Sequence, residues 1–120
     1  GIAEILATID EDKYESEASI ALLKRLQQEV YPTAAQIHYD LGHNLYSSAK
    51  YEESLAEFAK SMTYDPTNVN PVYFTARAYH RLKDYDNAAK YYNLVLSDYP
   101  DSRREKNAKD FLAQVQSAIE

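Results

Sequence analysis

Sliding the chain along itself by 34 residues lays like on like, and this internal period constrains the fold more than any other feature. Leu45 falls on Tyr79, Tyr51 on Tyr85, Ser54 on Ala88 and Phe58 on Tyr92. Gly42 meets Ala76, small on small, and Pro66 meets Pro100. Ala59 on Asn93 is a mismatch. The N-terminal part follows only partly: Pro32 keeps the period, but Lys24 stands where Phe58 and Tyr92 stand later. A unit of this length is one supersecondary element that cannot bury its apolar face alone, so neighbours must stack and share a core.

Within each unit the apolar spacing is helical. The middle unit predicts helices over 35–48 and 51–64, with Leu41 and Leu45 on one stripe and Tyr51, Leu55, Phe58 and Met62 on the other. The next unit predicts helices over 72–82 and 85–99, with Ala88, Ala89, Tyr92, Val95 and Leu96 inward. The links Ala49-Lys50 and Lys83-Asp84 are short, which makes each pair antiparallel. Thr33-Ala34-Ala35-Gln36 and Ser102-Arg103-Arg104-Glu105 read as capping boxes, and Asn70-Pro71 as an N-cap followed by a first-turn proline. Pro66 and Pro100 stand just past helix ends.

The flanks extend the pattern. Ile2, Ile5, Leu6 and Ile9 predict a first helix. Asp12, Lys13, Tyr14 and Glu15 predict a turn into a second helix, with Ile20, Leu23, Leu26 and Val30 inward. Ala108, Phe111, Leu112, Val115 and Ile119 predict a lone final helix, the cover that the end of a solenoid needs. The expectation is an all-α helix-turn-helix solenoid of seven helices in one domain. It comprises a degenerate repeat at 1–34, repeats at 35–68 and 69–102, and a capping helix at 103–120.

Composition narrows the function classes. The net charge of −6 lacks the basic footprint that phosphate backbones require, so nucleic acid is not expected as a partner. No cysteine is present, which excludes disulfides, thiol catalysis and thiolate metal sites. No apolar stretch approaches the roughly 20 residues that span a bilayer, so direct membrane insertion is not expected. No signal peptide is visible, and cytoplasmic and bacterial periplasmic or envelope locations both stay open. Twelve tyrosines without one tryptophan suit thin, half-exposed layers.

Nothing in the chain reads as an enzyme or a cofactor site. It holds neither a Gly-rich phosphate loop nor a Gly-x-Ser-x-Gly elbow. The carboxylate pairs Glu11-Asp12 and Glu52-Glu53 fall at helix starts and suit the helix dipole. His38 and His43 point roughly 140° apart on a helix, so they do not build a metal face together. Asp40, His43 and His80 are the nearest approach to a metal set, and ordinary polar roles are expected of them.

These features together resemble the tetratricopeptide repeat (TPR) family. That family's small or apolar positions and closing proline are matched by Leu41, Gly42, Leu45, Ser54, Phe58, Ser61 and Pro66, and again by Thr75, Ala76, Tyr79, Ala88, Tyr92, Val95 and Pro100. Ala49-Lys-Tyr-Glu-Glu-Ser54 and Lys83-Asp-Tyr-Asp-Asn-Ala88 look like its inter-helix turn. Ser54 and Ser61 replace the usual alanines, and His38 and Val72 stand where tryptophan is usual. Val95-Leu-Ser-Asp-Tyr-Pro-Asp-Ser102 is also similar to repeat ends of bacterial envelope members.

The resemblance implies a non-catalytic scaffold or adaptor whose first helices line a concave, protein-binding groove. Groove positions then hold Gln36, Tyr39, Asp40, His43, Tyr46 and Ser47, followed by Asn70, Tyr73, Phe74, Arg77, His80 and Arg81, with Arg104, Asn107 and Leu112 from the final helix. The family's chaperone-tail clamp is not expected, because its places hold Tyr39, His43, Phe74, Arg104 and Ala108, of which only Arg104 fits. The partner-binding set is Tyr39, His43, Tyr73, Phe74, Arg77 and Arg81, with Tyr39 and Tyr73 as successive stacked rungs. Such a strip suits a peptide or partner helix with apolar and acidic side chains. The alternative is assembly, in which the repeats extend a larger array or associate with copies of themselves.

Overall fold

Helix-forming residues separated by short turns build this chain. The structure, a computed structural model, describes residues 12–120. Its elements are α1 (Asp12–Arg25), a π-helical turn (Leu26–Val30), α2 (Tyr31–Ser47), α3 (Tyr51–Tyr64), α4 (Val69–Arg81), α5 (Tyr85–Asp98) and α6 (Glu105–Ile119). No strand occurs among the described residues, so the all-helical repeat fold is the one expected. The described residues fall into two compact units, divided between Thr33 and Ala34.

The count of seven helices needs correction. Helical backbone is unbroken from residue 12 to residue 47, leaving five uninterrupted helical runs among the described residues. The helix expected at Ile2, Ile5, Leu6 and Ile9 lies outside those residues. A break was expected between the helix through Val30 and the one starting at Ala35, and Pro32, which lacks an N–H and whose ring crowds the preceding turn, stands in that interval. The π turn answers both demands just before it. Tyr31 N–H reaches Leu26 O, five residues back, so the backbone is already wider when Pro32 arrives. Thr33 accordingly caps nothing: its Oγ1 donates to Glu29 O at 2.8 Å, and Gln36 donates to Asp40 instead of closing a capping box. Ile20, Leu23 and Val30 were expected inward but are exposed. The helix that was to cover them falls on the residues outside the description.

In residues 34–120 the same turn is built twice, one period apart. Lys50 N–H bonds Leu45 O at 2.8 Å, and Asp84 N–H bonds Tyr79 O at 2.9 Å. These are the long bonds of a Schellman ending. They place Ala49 and Lys83 in the left-handed region, at φ 61° and 62°. Neither residue is glycine, so each turn carries a strain that the packed helix pair must offset.

Two other boundary expectations shift. Asn68, not Asn70, caps α4 by accepting from Asn70 N–H at 3.0 Å. Pro71 is then the third helical residue, where a missing N–H still costs nothing. Ahead of α6, Glu105 accepts from Asp101 N–H at 2.9 Å rather than pairing with Ser102. Ser102 Oγ is buried without a partner among the described residues.

The core of this unit follows the period. Phe58 and Tyr92, matched across repeats, are fully buried. Burial of rings of this size is worth about 1.5–3 kcal/mol each. Gly42 is buried against Phe58, where no larger residue has room. Val72, Tyr73, Ala76, Ala88, Val95, Ala108, Leu112 and Val115 complete the inner set with Tyr92. Leu41 departs from expectation and is exposed, while Leu45 is half-buried. Ser61 was expected to weaken packing relative to alanine. It instead donates to Ala35 O at 2.8 Å and ties α3 to α2. Ser54 Oγ likewise bonds Tyr51 O at 2.6 Å. His38, in the tryptophan position, contacts Glu57 Oε2 at 2.7 Å and stacks on Tyr64. That hydrogen bond first, and Lys60 after it, holds the Glu57 carboxyl below its ordinary range.

Candidate functional site

Helices α2, α4 and α6 meet through rings, because each presents an aromatic or guanidinium group on the side facing its neighbour. Phe74 of α4 is the hub. His43 meets it edge-on at 4.9 Å, Tyr46 at 5.5 Å and Tyr73 at 5.2 Å, while Tyr39 lies 6.2 Å away. Such centroid distances are those of favourable edge-to-face and offset pairs. Phe58 supports the cluster from below, 6.2 Å from Phe74 and 6.0 Å from Tyr39. Burial is the main cause that pushes the Tyr39 phenol up, so it stays neutral. Beside this cluster Tyr39, Asp40, His43 and Asn44 line an open depression of about 390 Å³.

The sequence-derived residues divide into two groups. Tyr39, His43, Phe74 and Arg77 are half-buried, and Arg81 is exposed. Tyr73 is only 3% exposed, so it is a wall of the site and not a displayed ring. Phe74 contacts both Tyr39 and Tyr73, taking the place of the expected direct stack. Two guanidinium groups close the layer. Arg104, at the start of α6, lies 4.8 Å over Tyr73 and 5.1 Å over Phe74, and donates to Asn70 Oδ1 at 2.9 Å. Arg77 lies 3.9 Å over Phe111 and donates to Tyr73 Oη at 3.3 Å. Cation–π contacts of this kind hold the arginines flat while keeping their charge.

At the far end of α4 the charge is concentrated. Arg77, His80, Arg81 and Lys83, with Tyr85 and Phe111, line a second depression of about 440 Å³. Among the described residues no carboxylate forms an ion pair with Arg77, Arg81 or Lys83. Burial, then Arg77 and Arg81, holds the His80 imidazole below its ordinary value, so it is neutral near pH 7. Tyr92 fixes its tautomer. The Tyr92 phenol is fully buried and pushed far up by that burial, so it keeps its proton. Its oxygen lies 3.0 Å from His80 Nδ1. A buried hydroxyl needs an acceptor, so Tyr92 donates to Nδ1 and the His80 proton sits on Nε2.

Sequence reasoning did not place Lys83, Tyr85 and Phe111 around this depression. Phe111 had been assigned to the inward stripe of the last helix. The available signal was its position four residues before Val115 and after a run of outer charges, which does not tell a buried ring from a half-buried one.

A sequence model of the tetratricopeptide repeat family matches residues 45–115, more than half of the chain. No curated protein matches it. Among the described residues no helix is long and apolar enough to cross a membrane.

Proposed function

This chain belongs to the tetratricopeptide repeat family, and on that footing we propose that it holds a partner peptide or helix along the face where α2, α4 and α6 meet. Repeats of this family generally mediate protein–protein interaction and are non-catalytic modules. The observation that carries the finer reading is the convergence on Phe74. Rings from two successive repeats form one surface, flanked by an open depression at Tyr39 and His43 and by Arg77 and Arg81, neither of which has a carboxylate partner among the described residues. Tyrosine and arginine on a rigid helical layer are the side chains that dominate interface energies. The partner that fits has apolar side chains and an acidic residue.

The test is capture of partners from the source cell by the wild-type chain and by two variants. Tyr39→Ala combined with His43→Glu should reduce capture of the main partner at least about tenfold. Lys90→Glu, on the exposed side of α5, should leave it unchanged. The opposite pattern sinks the groove reading. One observation favours assembly as a second reading: Ile37 and Leu41 on α2 are 59% and 45% exposed. Two such residues on one helix face suit a packing partner. A concentration-dependent dimer in sedimentation, lost in Ile37→Glu, would establish that reading.

A further inference from the structure

The depression at the end of α4 has features that the proposed interaction does not by itself explain. The chain carries a net charge of −6, yet three cations line one cavity and none of them pairs with a carboxylate among the described residues. Asp84, the acid nearest in sequence, is committed elsewhere: it accepts from Asn87 N–H at 3.3 Å and from Asn87 Nδ2 at 2.8 Å. The α4 dipole brings its negative end here, but α5 begins a few residues on with its positive end, so the two oppose each other and the side chains decide the sign. Burial first, and Arg77 and Arg81 after it, hold the His80 imidazole below its ordinary value.

Resting on the reading of the chain as a peptide-binding module, we propose that this depression is a carboxylate subsite taking the side chain of an aspartate or glutamate in the bound peptide. Arg81 and Lys83 supply charge at the exposed rim, with Arg81 also hydrogen-bonded to Tyr46. Arg77 is held against Phe111 and Tyr73, so it contributes fixed charge at the inner wall. His80 contributes a neutral Nε2–H donor, its Nδ1 being taken by Tyr92. Phe111 and Tyr85 flank the methylene stem of the incoming side chain. The cavity of about 440 Å³ is larger than a carboxylate alone, which leaves room for that stem and for water. Two guanidinium groups near each other favour carboxylate over a neutral amide, because the fork geometry is matched only by two acceptor oxygens.

The test is an NMR titration of the isotope-labelled chain at low ionic strength. The probe is a peptide of alternating leucine and glutamate ending in tyrosine, acetylated and amidated at its ends. Its control replaces each glutamate by glutamine. The glutamate peptide should shift the backbone amides of Arg81, Lys83 and Gln114 saturably, and the glutamine peptide should bind at least about tenfold more weakly. Raising the salt should weaken only the former. Arg81→Gln with Lys83→Gln, which removes both charges without placing an acid at the α4 C-terminus, should abolish the difference while circular dichroism stays unchanged. Equal binding of the two peptides, no saturable shift, or full affinity in the double variant overturns the subsite. A glutamine peptide with a free C-terminus that recovers the binding also overturns it, because the depression would then read a chain end. Shifts confined to Tyr39–Asn44 reject this subsite and leave the wider groove reading intact. Insensitivity of a captured partner to Tyr39→Ala with His43→Glu rejects that wider reading on its own.

Discussion

Gly42→Ala sets two effects of opposite sign against each other. In a helix interior alanine is favoured over glycine by about 1 kcal/mol. Here a Cβ would stand 2.7 Å from both Cδ1 and Cε1 of Phe58 and 3.3 Å from Cβ of Glu57. Carbon pairs are most stable at about 3.5–4.0 Å, so the ring must withdraw by about 1 Å. It has nowhere to go. Phe58 has 0% exposure, and Tyr39 and Phe74 flank it at 6.0 and 6.2 Å between centroids. Overpacking of this kind costs about 1–3 kcal/mol, so the clash wins over propensity and the net loss is about 1 kcal/mol. In a domain of this size that lowers Tm by roughly 4–8 °C. Thermal and urea unfolding followed by far-ultraviolet circular dichroism measures it. The decisive arm repeats the substitution in a Phe58→Leu background, where the obstructing ring edge is gone. There Gly42→Ala should stabilise by up to about 1 kcal/mol, the propensity gain alone. A stabilisation in the wild-type background, or the same change in both, would refute the reasoning.

Three further outcomes follow from the same packing. Ser61→Ala, although it restores the family's usual residue, should cost about 0.5–1.5 kcal/mol in urea unfolding because it removes the bond that ties α3 to Ala35 O, a carbonyl that keeps its donor within α2; no measurable loss would mean that the bond is not formed. Glu57, held below the ordinary carboxylate range chiefly by His38, contributes stability that is present above that range and is lost as pH falls through its lowered value. Urea midpoints of the wild type should therefore fall more steeply between about pH 5 and pH 3 than those of Glu57→Gln, and parallel curves would contradict this. Tyr73→Ala should lower stability by about 3–5 kcal/mol as a buried ring lost from the core, whereas Arg81→Glu should leave unfolding unchanged; a Tyr73→Ala chain as stable as the wild type would mean that the ring is displayed after all.

The repeat was legible because it is written in residue types that only one arrangement accommodates. Phe58 and Tyr92, Gly42 and Ala76, Pro66 and Pro100 recur at one spacing, and large, small and breaker residues have non-interchangeable places in a stacked helix pair. The turns at Ala49 and Lys83 were placed correctly by length, but their left-handed backbone was hidden because neither carries the glycine that advertises it. Pro32 was misleading for a related reason. Proline forbids a bond without dictating how the chain avoids it, and a π turn at Leu26–Val30 is as good a solution as a helix end.

For the candidate site, the residues that share one layer were legible, and which of them are buried was less so. Tyr73 and Phe74 are neighbours on α4, about 100° apart around the helix, so sequence alone cannot say which of the two turns toward the core. The answer depends on α6, whose Arg104 covers both rings and reaches back one full period to Asn70. That contact makes Tyr73 a supporting ring, and on the proposed reading half-buried His43 on one side and exposed Arg81 and Lys83 on the other face the partner. The rings fix the spacing of α2, α4 and α6, and on that same reading the charges recognise what lies across them. Substituting a ring therefore disturbs packing as well as the proposed binding, so capture by Tyr39→Ala with His43→Glu is read beside its unfolding curve, while Arg81, exposed at the end of α4, is the position where binding is expected to change with least effect on packing.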